Sequence, residues 1–276
     1  MSGIASSLVS VIIPFYNAEA FLAETLDSLL NQSHSHWEAW LINDGSRDNS
    51  AQIAQEFAQK DARFRYHEQE NAGVSAARNV GLGKMTGDFF CFLDADDVFP
   101  ENSLADRLHI FQQDSAVEFV DGQVEVKDAQ LKSVQSVWMP SFEGAPLADL
   151  VAITGRSFFG PTWMFRRLPN RTYAFVVGHT HGEDLLFYIQ QAQYGGLYRY
   201  TKSTILNYRK GHGSAMSNLK GLEEGYRTLY RELHQVQGVT KAQLHGFRRK
   251  TRSIMVKSYL GGRKPIAALA ALLKRW

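Results

Sequence analysis

Three carboxylates, Asp94, Asp96 and Asp97, interrupt the stretch FFCFLDADDVFP at residues 89–100, with Ala95 the sole apolar residue among them. Clustered like charges repel one another unless a cation neutralises them, so the pattern reads either as a cation site or as a solvated cluster capping the helix after Pro100. The apolar residues 89–93 follow Gly87-Asp88 and read as a strand buried on both faces, the kind found inside a parallel sheet. The acids then sit at the carboxyl end of that strand, which in open α/β sheets is the edge where ligands bind.

Chemistry at such an edge needs several strands ending together, and residues 1–115 alternate strand and helix patterns with short connections. Strands are expected at 8–14, 37–42, 64–67 and 89–93. Helices are expected at 18–32, with Asn17 available as a cap, at 48–59, at 74–84, and from Pro100-Glu101 onward. Beyond residue 114 the periodicity is less clean. Segments 117–126 and 134–138 read as strands of an antiparallel arrangement, 183–194 as a helix, 197–208 as a pair of short strands and 220–236 as another helix. The expected fold class is α/β, a mixed central sheet flanked by helices, with a helical C-terminal extension. Residues 1–218 form the main domain, divided into halves at 1–115 and 116–218, and residues 219–276 form the extension.

The chain has 276 residues, 44% hydrophobic and 21% charged, the composition of an ordinary soluble globular protein. Its longest apolar run, 266–273, is too short to span a bilayer, and the N-terminus lacks a signal-like pattern, so the expectation is a cytoplasmic protein. The single cysteine, Cys91, lies inside the proposed strand and reads as a small core residue. A net charge of +2 hides an asymmetry: residues 241–276 carry ten Lys/Arg and no Asp/Glu, leaving 20 basic against 28 acidic residues before them.

Five motifs appear in order: VSVIIPFYNAE at 10–20, INDGSRDNS at 42–50, NAGVSAARNVGL at 71–82, FLDADD at 92–97 and GEDLLF at 182–187. Each falls at an expected strand end or loop. Together they resemble the family 2 glycosyltransferases, inverting enzymes with the nucleotide-sugar-binding GT-A fold, over roughly residues 8–215. The resemblance implies transfer of a sugar from a nucleotide diphosphate donor, UDP foremost, to a carbohydrate or lipid-linked hydroxyl in cell-surface polysaccharide synthesis. It also implies Mn²⁺ or Mg²⁺ bridging the diphosphate.

Carried onto this sequence, Asp94 lies near the ribose and Asp96 holds the metal, with Asp94 and Ala95 completing that turn, while Asp97 has no settled place. Pro14, Tyr16 and Asn17 at the end of the first strand and Asp44 at the end of the second would converge on the nucleotide. Tyr16 and Asp44 would recognise the base, and Arg78 would lie near base and diphosphate. Asn17 and Ser46 also read as simple helix caps, and Arg78 as an exposed helix arginine. A transferase must deprotonate the acceptor hydroxyl, and the resemblance assigns that base to Asp184 with Glu183 orienting it; both also read as first-turn acids stabilising a helix.

The pair His179 and His181 in HTHGED lacks a third ligand at a zinc-like spacing. YRKGHGSAMS at 208–217 resembles the family's closing loop, but His212 sits one position later relative to Arg209, which leaves open whether it reaches the metal or diphosphate. Arg209 and Lys210 are candidate phosphate contacts. Trp163, in SFFGPTWMFRR, is a candidate acceptor-site aromatic, with core packing the alternative. A nucleotidyltransferase would be expected to carry a glycine-rich, basic triphosphate loop near the first strand, and FYNAE has none; a catalytically silent sugar-nucleotide-binding module is the other competitor.

The tail places Ile266, Leu269, Leu272, Leu273 and Trp276 at roughly helical spacing beside Arg263, Lys264, Lys274 and Arg275. That pattern reads as an interfacial helix for an anionic membrane face, or as a tail packed on the acidic body. No nucleic-acid module accompanies the charge.

Overall fold

The structure, a computed structural model, describes residues 7–179, 181–211 and 218–273. Val9–Phe15 (β1), Trp37–Asn43 (β2), Phe64–Glu68 (β3) and Phe89–Phe92 (β4) pair in parallel. They alternate with Leu22–Leu30 (α1), Ser50–Lys60 (α2) and Val74–Lys84 (α3). Ser103–Gln113 (α4) leads into Val117–Lys127 (β5), Val134–Trp138 (β6), Leu147–Val151 (α5), Met164–Arg166 (β7), Glu183–Ala192 (α6) and Leu197–Arg209 (β8). The tail is Leu219–Leu233 (α7), Lys241–Gly261 (α8) and Pro265–Leu273 (α9).

The sheet runs β3-β2-β1-β4-β7-β5-β6, with β8 paired to β5. The chain builds outward from β1 through β2 to β3, then returns to lay β4 on the other side of β1. That reversal leaves a crevice past the carboxyl ends of β1 and β4. The strand β7 pairs antiparallel to both β4 and β5, joining the parallel half to the rest.

Because strand side chains alternate, each central strand feeds two cores. Val9, Val11, Ile13, Phe89 and Cys91 pack with Leu22, Leu26, Leu29, Leu104 and Leu108 of α1 and α4 on one face. Ile12, Phe90 and Phe92 pack with Leu82 of α3 and Leu185, Leu186 and Phe187 of α6 on the other. Aromatic stacking consolidates this second core, with ring centroids 4.8 Å apart for Phe90 and Phe165 and 4.3 Å for Phe175 and Phe187. Gly81 lets α3 approach the sheet: a Cβ there would meet the Ile12 Cγ2 at 2.5 Å.

Several elements differ from expectation. Residues 197–209 form one 13-residue strand rather than two, because β8 shifts register against β5 repeatedly and its apolar alternation breaks without the strand ending. The short β7 and α5 escape a pattern reading, being three and five residues long. Asn17 caps no helix: it takes a left-handed conformation (φ 50°), and α1 starts only at Leu22, after Phe21. Among the described residues no helix is long and apolar enough to cross a membrane.

Candidate active site

The crevice holds a cavity of about 440 Å³ lined by Pro14, Tyr16 and Asn17 from the end of β1, Arg78 from α3, Asp94, Ala95 and Asp96 from the end of β4, and Glu183 and Asp184 from the start of α6. Phe15, Ala18, Phe21 and Val74 complete the wall. Thus nine residues singled out for chemistry lie around one space, although they come from four separate segments of the chain.

Local hydrogen bonds fix each segment. Asn17 N–H donates to Ser46 Oγ (3.0 Å) and Arg47 N–H donates to Asn17 Oδ1 (2.8 Å), which stitches the loop after β1 to the loop after β2. The Asp94–Asp97 turn is closed by Asp97 N–H to the Asp94 carbonyl (3.1 Å) and anchored by Thr25 Oγ1 on the Ala95 carbonyl (3.0 Å). Asn79 grips the Phe175 backbone through both its amide groups, at 2.7 and 2.9 Å, and so ties the segment leading to α6 onto α3. Sequence reasoning missed Asn79, although it stands in the same SAARN motif as Arg78. Gly182, immediately before α6, has φ 77° and faces Leu229, where a Cβ would lie 2.7 Å from Cδ1. The chain therefore enters α6 through a turn that favours glycine, and Glu183 and Asp184 fall in its first turn, where the helix dipole favours negative charge.

Arg78 is the hub. Its buried guanidinium donates to Asp184 Oδ1 (2.7 Å) and to Asp94 Oδ1 (3.0 Å), and Glu183 Oε1 lies 3.8 Å away. Burial opposes the arginine charge, but the Asp184, Asp94 and Glu183 carboxylates outweigh it and its pKa is raised. The Asp184 side chain is 17% exposed and lines the cavity. Burial raises its pKa and Arg78 pulls it back, while Glu183 and Asp94 raise it further, leaving it at about 7. A carboxyl poised there can hold or release a proton near neutrality.

Other residues stand apart from this space. Asp44 is buried beside the cavity rather than in its wall: it accepts from Gln69 Nε2 (2.7 Å) and from the backbone N–H groups of Ala72 and Gly73 (both 2.9 Å), setting the approach to α3. Asp97 is buried, accepts from Arg209 N–H (2.8 Å), and has its pKa raised by burial and by Asp96 and Asp94. Trp163 is a correction. Its ring is fully buried, stacks on Tyr188 at 4.2 Å and donates Nε1–H to the Ser157 carbonyl, so it is core and offers no face to a sugar. Arg209 is a second correction. Its buried guanidinium binds the Asp96 carbonyl (2.7 Å), the Ala129 carbonyl (2.6 Å) and Glu24 (2.6 Å), bracing the acidic turn instead of presenting itself to phosphate. His181 is buried under α7 against Gly221 and Gly225. His212 lies outside the described residues.

Among the described residues no group of three or more His, Cys, Asp or Glu side chains forms a metal site. Asp94 and Asp96 nevertheless share the cavity wall, and two carboxylates suit Mg²⁺ or Mn²⁺ when phosphate oxygens and water complete the shell, as opposed to a closed protein cage.

The glycosyl transferase family 2 model matches residues 10–173, more than half of the chain, and the chain belongs to that family. Glycosyltransferase GlyA of Streptococcus pneumoniae is 43% identical over 112 residues, 40% of this chain and 16% of that protein. The putative teichuronic acid biosynthesis glycosyltransferase TuaG of Bacillus subtilis is 38% identical over 109 residues, 39% of this chain and 43% of that protein. The matched stretches thus cover less than half of these relatives' length. Among solved structures, S. aureus TarS 1–349 in complex with UDP-GlcNAc superposes with a TM-score of 0.67 at 20% identity, over 90% of this chain and 70% of that one. Mannosyltransferase PcManGT from Pyrobaculum calidifontis, in complex with GDP-Man and Mn²⁺, gives 0.66 at 18% identity, over 96% and 73%. At these identities the likeness establishes the fold, a GT-A mixed sheet flanked by helices.

Proposed function

We propose that the protein is an inverting glycosyltransferase that moves a sugar from a nucleoside diphosphate donor, UDP in the first instance, to a carbohydrate or lipid-linked hydroxyl at the cytoplasmic face of the membrane. The observation that carries the reading is the placement of Asp184 in the same cavity wall as Asp94 and Asp96, joined to Asp94 through Arg78, where burial raises its pKa. The nucleotide-sugar complexes of the TarS and PcManGT structures support the donor class.

In this reading residues 1–115 bind the nucleotide and residues 116–218 supply the base and the acceptor site. Tyr16 offers its ring to the base, Asp44 holds the loop before α3 in register, and Arg78 places a cation at the phosphate end. Asp94 and Asp96 would hold Mn²⁺ or Mg²⁺, which supplies charge neutralisation for the departing diphosphate. Asp184 takes the acceptor proton as the hydroxyl oxygen bonds to the anomeric carbon, the bond from that carbon to the diphosphate oxygen breaks, and the nucleoside diphosphate leaves with the electron pair. Attack from the side opposite the leaving group inverts the centre.

Calorimetric titration of UDP, GDP, CDP and dTDP, with Mn²⁺ and again with EDTA, tests the reading. One nucleotide should bind in Mn²⁺, lose affinity in EDTA, and bind about tenfold or more weakly to Asp96→Ala. Equal binding in EDTA would remove the metal, and binding of none would remove the reading.

A further inference from the structure

The C-terminal helices place small residues inward and large aliphatic ones outward. Ala268 and Ala271 of α9 pack with Met255 and Tyr259 of α8 and Leu222 of α7. Ile266, Leu269 and Leu272, by contrast, are 85%, 57% and 52% exposed. A helix at a protein–water boundary shows the opposite arrangement, with its large apolar residues toward the core. Spacings of three residues keep these side chains on one side of α9, and the packing through alanines rules out the tail using that stripe to grip its own body.

Cations accompany the stripe. Arg263 and Lys264 are exposed immediately before α9, and Arg249, Lys250 and Lys257 are exposed on α8. Between α5 and α8 runs a groove of about 540 Å³, larger than the candidate active site, where Arg249, Lys250, Gln243 and Ser253 stand beside Val151 and Phe247. Residues 241–276 contain no acid.

We propose that α8 and α9 form a docking surface for an anionic lipid leaflet. Ile266, Leu269 and Leu272 enter the acyl boundary, and the α8 cations, with the groove beside them, take headgroup phosphates. Charge and apolarity together select this occupant. The cations are spread along α8 and the connection into α9, which suits mobile phosphates, and the aliphatic stripe of α9 needs hydrocarbon. A second copy of this chain offers an acidic body, 28 acidic against 20 basic residues over positions 1–240, so self-association is the competing outcome of the test.

The test is co-sedimentation of the full chain, without donor or acceptor, with phosphatidylcholine vesicles and with vesicles one-third phosphatidylglycerol. Binding should favour the anionic vesicles by about tenfold or more and weaken in high salt. Leu269→Asp and the pair Arg249→Glu/Lys250→Glu should each lower it about tenfold with unchanged circular dichroism. Failure to bind either vesicle, binding that ignores these substitutions, or lipid-free self-association that Leu269→Asp abolishes would each overturn the proposal. No sugar transfer enters the measurement, so its outcome is independent of the role of Asp184.

Discussion

Arg78 and Arg107 are both buried, and each influences an aspartate whose pKa is pushed up to about 7. Around Arg78 the partners are carboxylates, and Asp184 shares the wall of a cavity with Asp94 and Asp96. Around Arg107 the acceptors are the Ser103 carbonyl and hydroxyl and the Thr162 carbonyl. Asp121, in β5, is completely buried and accepts from Gly122 N–H (2.9 Å) and Tyr198 Oη–H (3.1 Å). The two sites share chemistry and differ in access. A raised carboxyl pKa therefore marks burial in both places, and only the opening onto a cavity separates a candidate base from a structural acid.

The largest difference between the two sites is expected at Asp184. Replacing it with Asn should lower kcat by about 10²–10⁴-fold while leaving nucleotide affinity nearly unchanged, because the Arg78 charge keeps Asp94 and Glu183. A base must be ionised to act, and burial holds Asp184 at about 7, so kcat/KM should fall as pH drops below that value. A wild-type profile flat from weak acid to weak alkali, or an Asp184→Asn enzyme at full rate, would return Asp184 to the class of Asp121.

The converse substitution acts on stability. Burial raises the Asp121 pKa to about 7, from the ~3.9 of an unfolded chain. The folded protein therefore retains a proton that the unfolded chain releases between those values. This contribution is fully present below the unfolded pKa and is lost as pH rises through the folded one, up to ~4 kcal/mol in all. Asp121→Asn mimics the protonated acid and can keep both hydrogen bonds. Urea titrations at pH values on either side of the window should show wild type losing stability relative to the variant as pH rises, with kcat unaltered. Parallel profiles for the two proteins would show that Asp121 does not titrate there.

Much of the first half was legible because parallel strands buried on both faces read as continuous apolar runs, and their short connections end in turn residues. The seven-residue β1 and four-residue β4 are buried throughout, and α3 spans Val74–Lys84, the expected range. The candidate site was legible to the extent that its residues sit at strand ends, which the topology brings to one edge. What could not be read was pairing across distance: Arg78 and Asp184 lie 106 positions apart, and no local pattern couples them. Nor did anything local single out Arg107 and Asp121, whose setting is created by strands and helices closing over them. Trp163 failed for a related reason, since an aromatic's type does not reveal which side of a wall it occupies. In the tail, the capping box of Thr240 and Gln243 that starts α8 was present in the sequence, yet the inward alanines of α9 emerged only from packing.

A smaller effect separates the two kinds of aromatic. Tyr16 is 46% exposed on the cavity wall, whereas Trp163 is enclosed by Phe119, Phe165, Tyr188 and Tyr198. Removing an exposed ring costs the fold little, within ~0.5 kcal/mol, because it buries little against the core. If Tyr16 stacks on the nucleotide base, Tyr16→Ala should weaken UDP binding by ~1–3 kcal/mol, the range measured when aromatic platforms for bases are truncated. Tyr16→Phe keeps the ring and loses only the hydroxyl, so it should retain most of the affinity. Calorimetry on the two variants separates the contributions: loss in both assigns the interaction to the hydroxyl, and loss in neither removes Tyr16 from base recognition. Loss in Ala alone, with an unchanged unfolding midpoint, leaves stacking as the force that places the donor at this edge of the sheet.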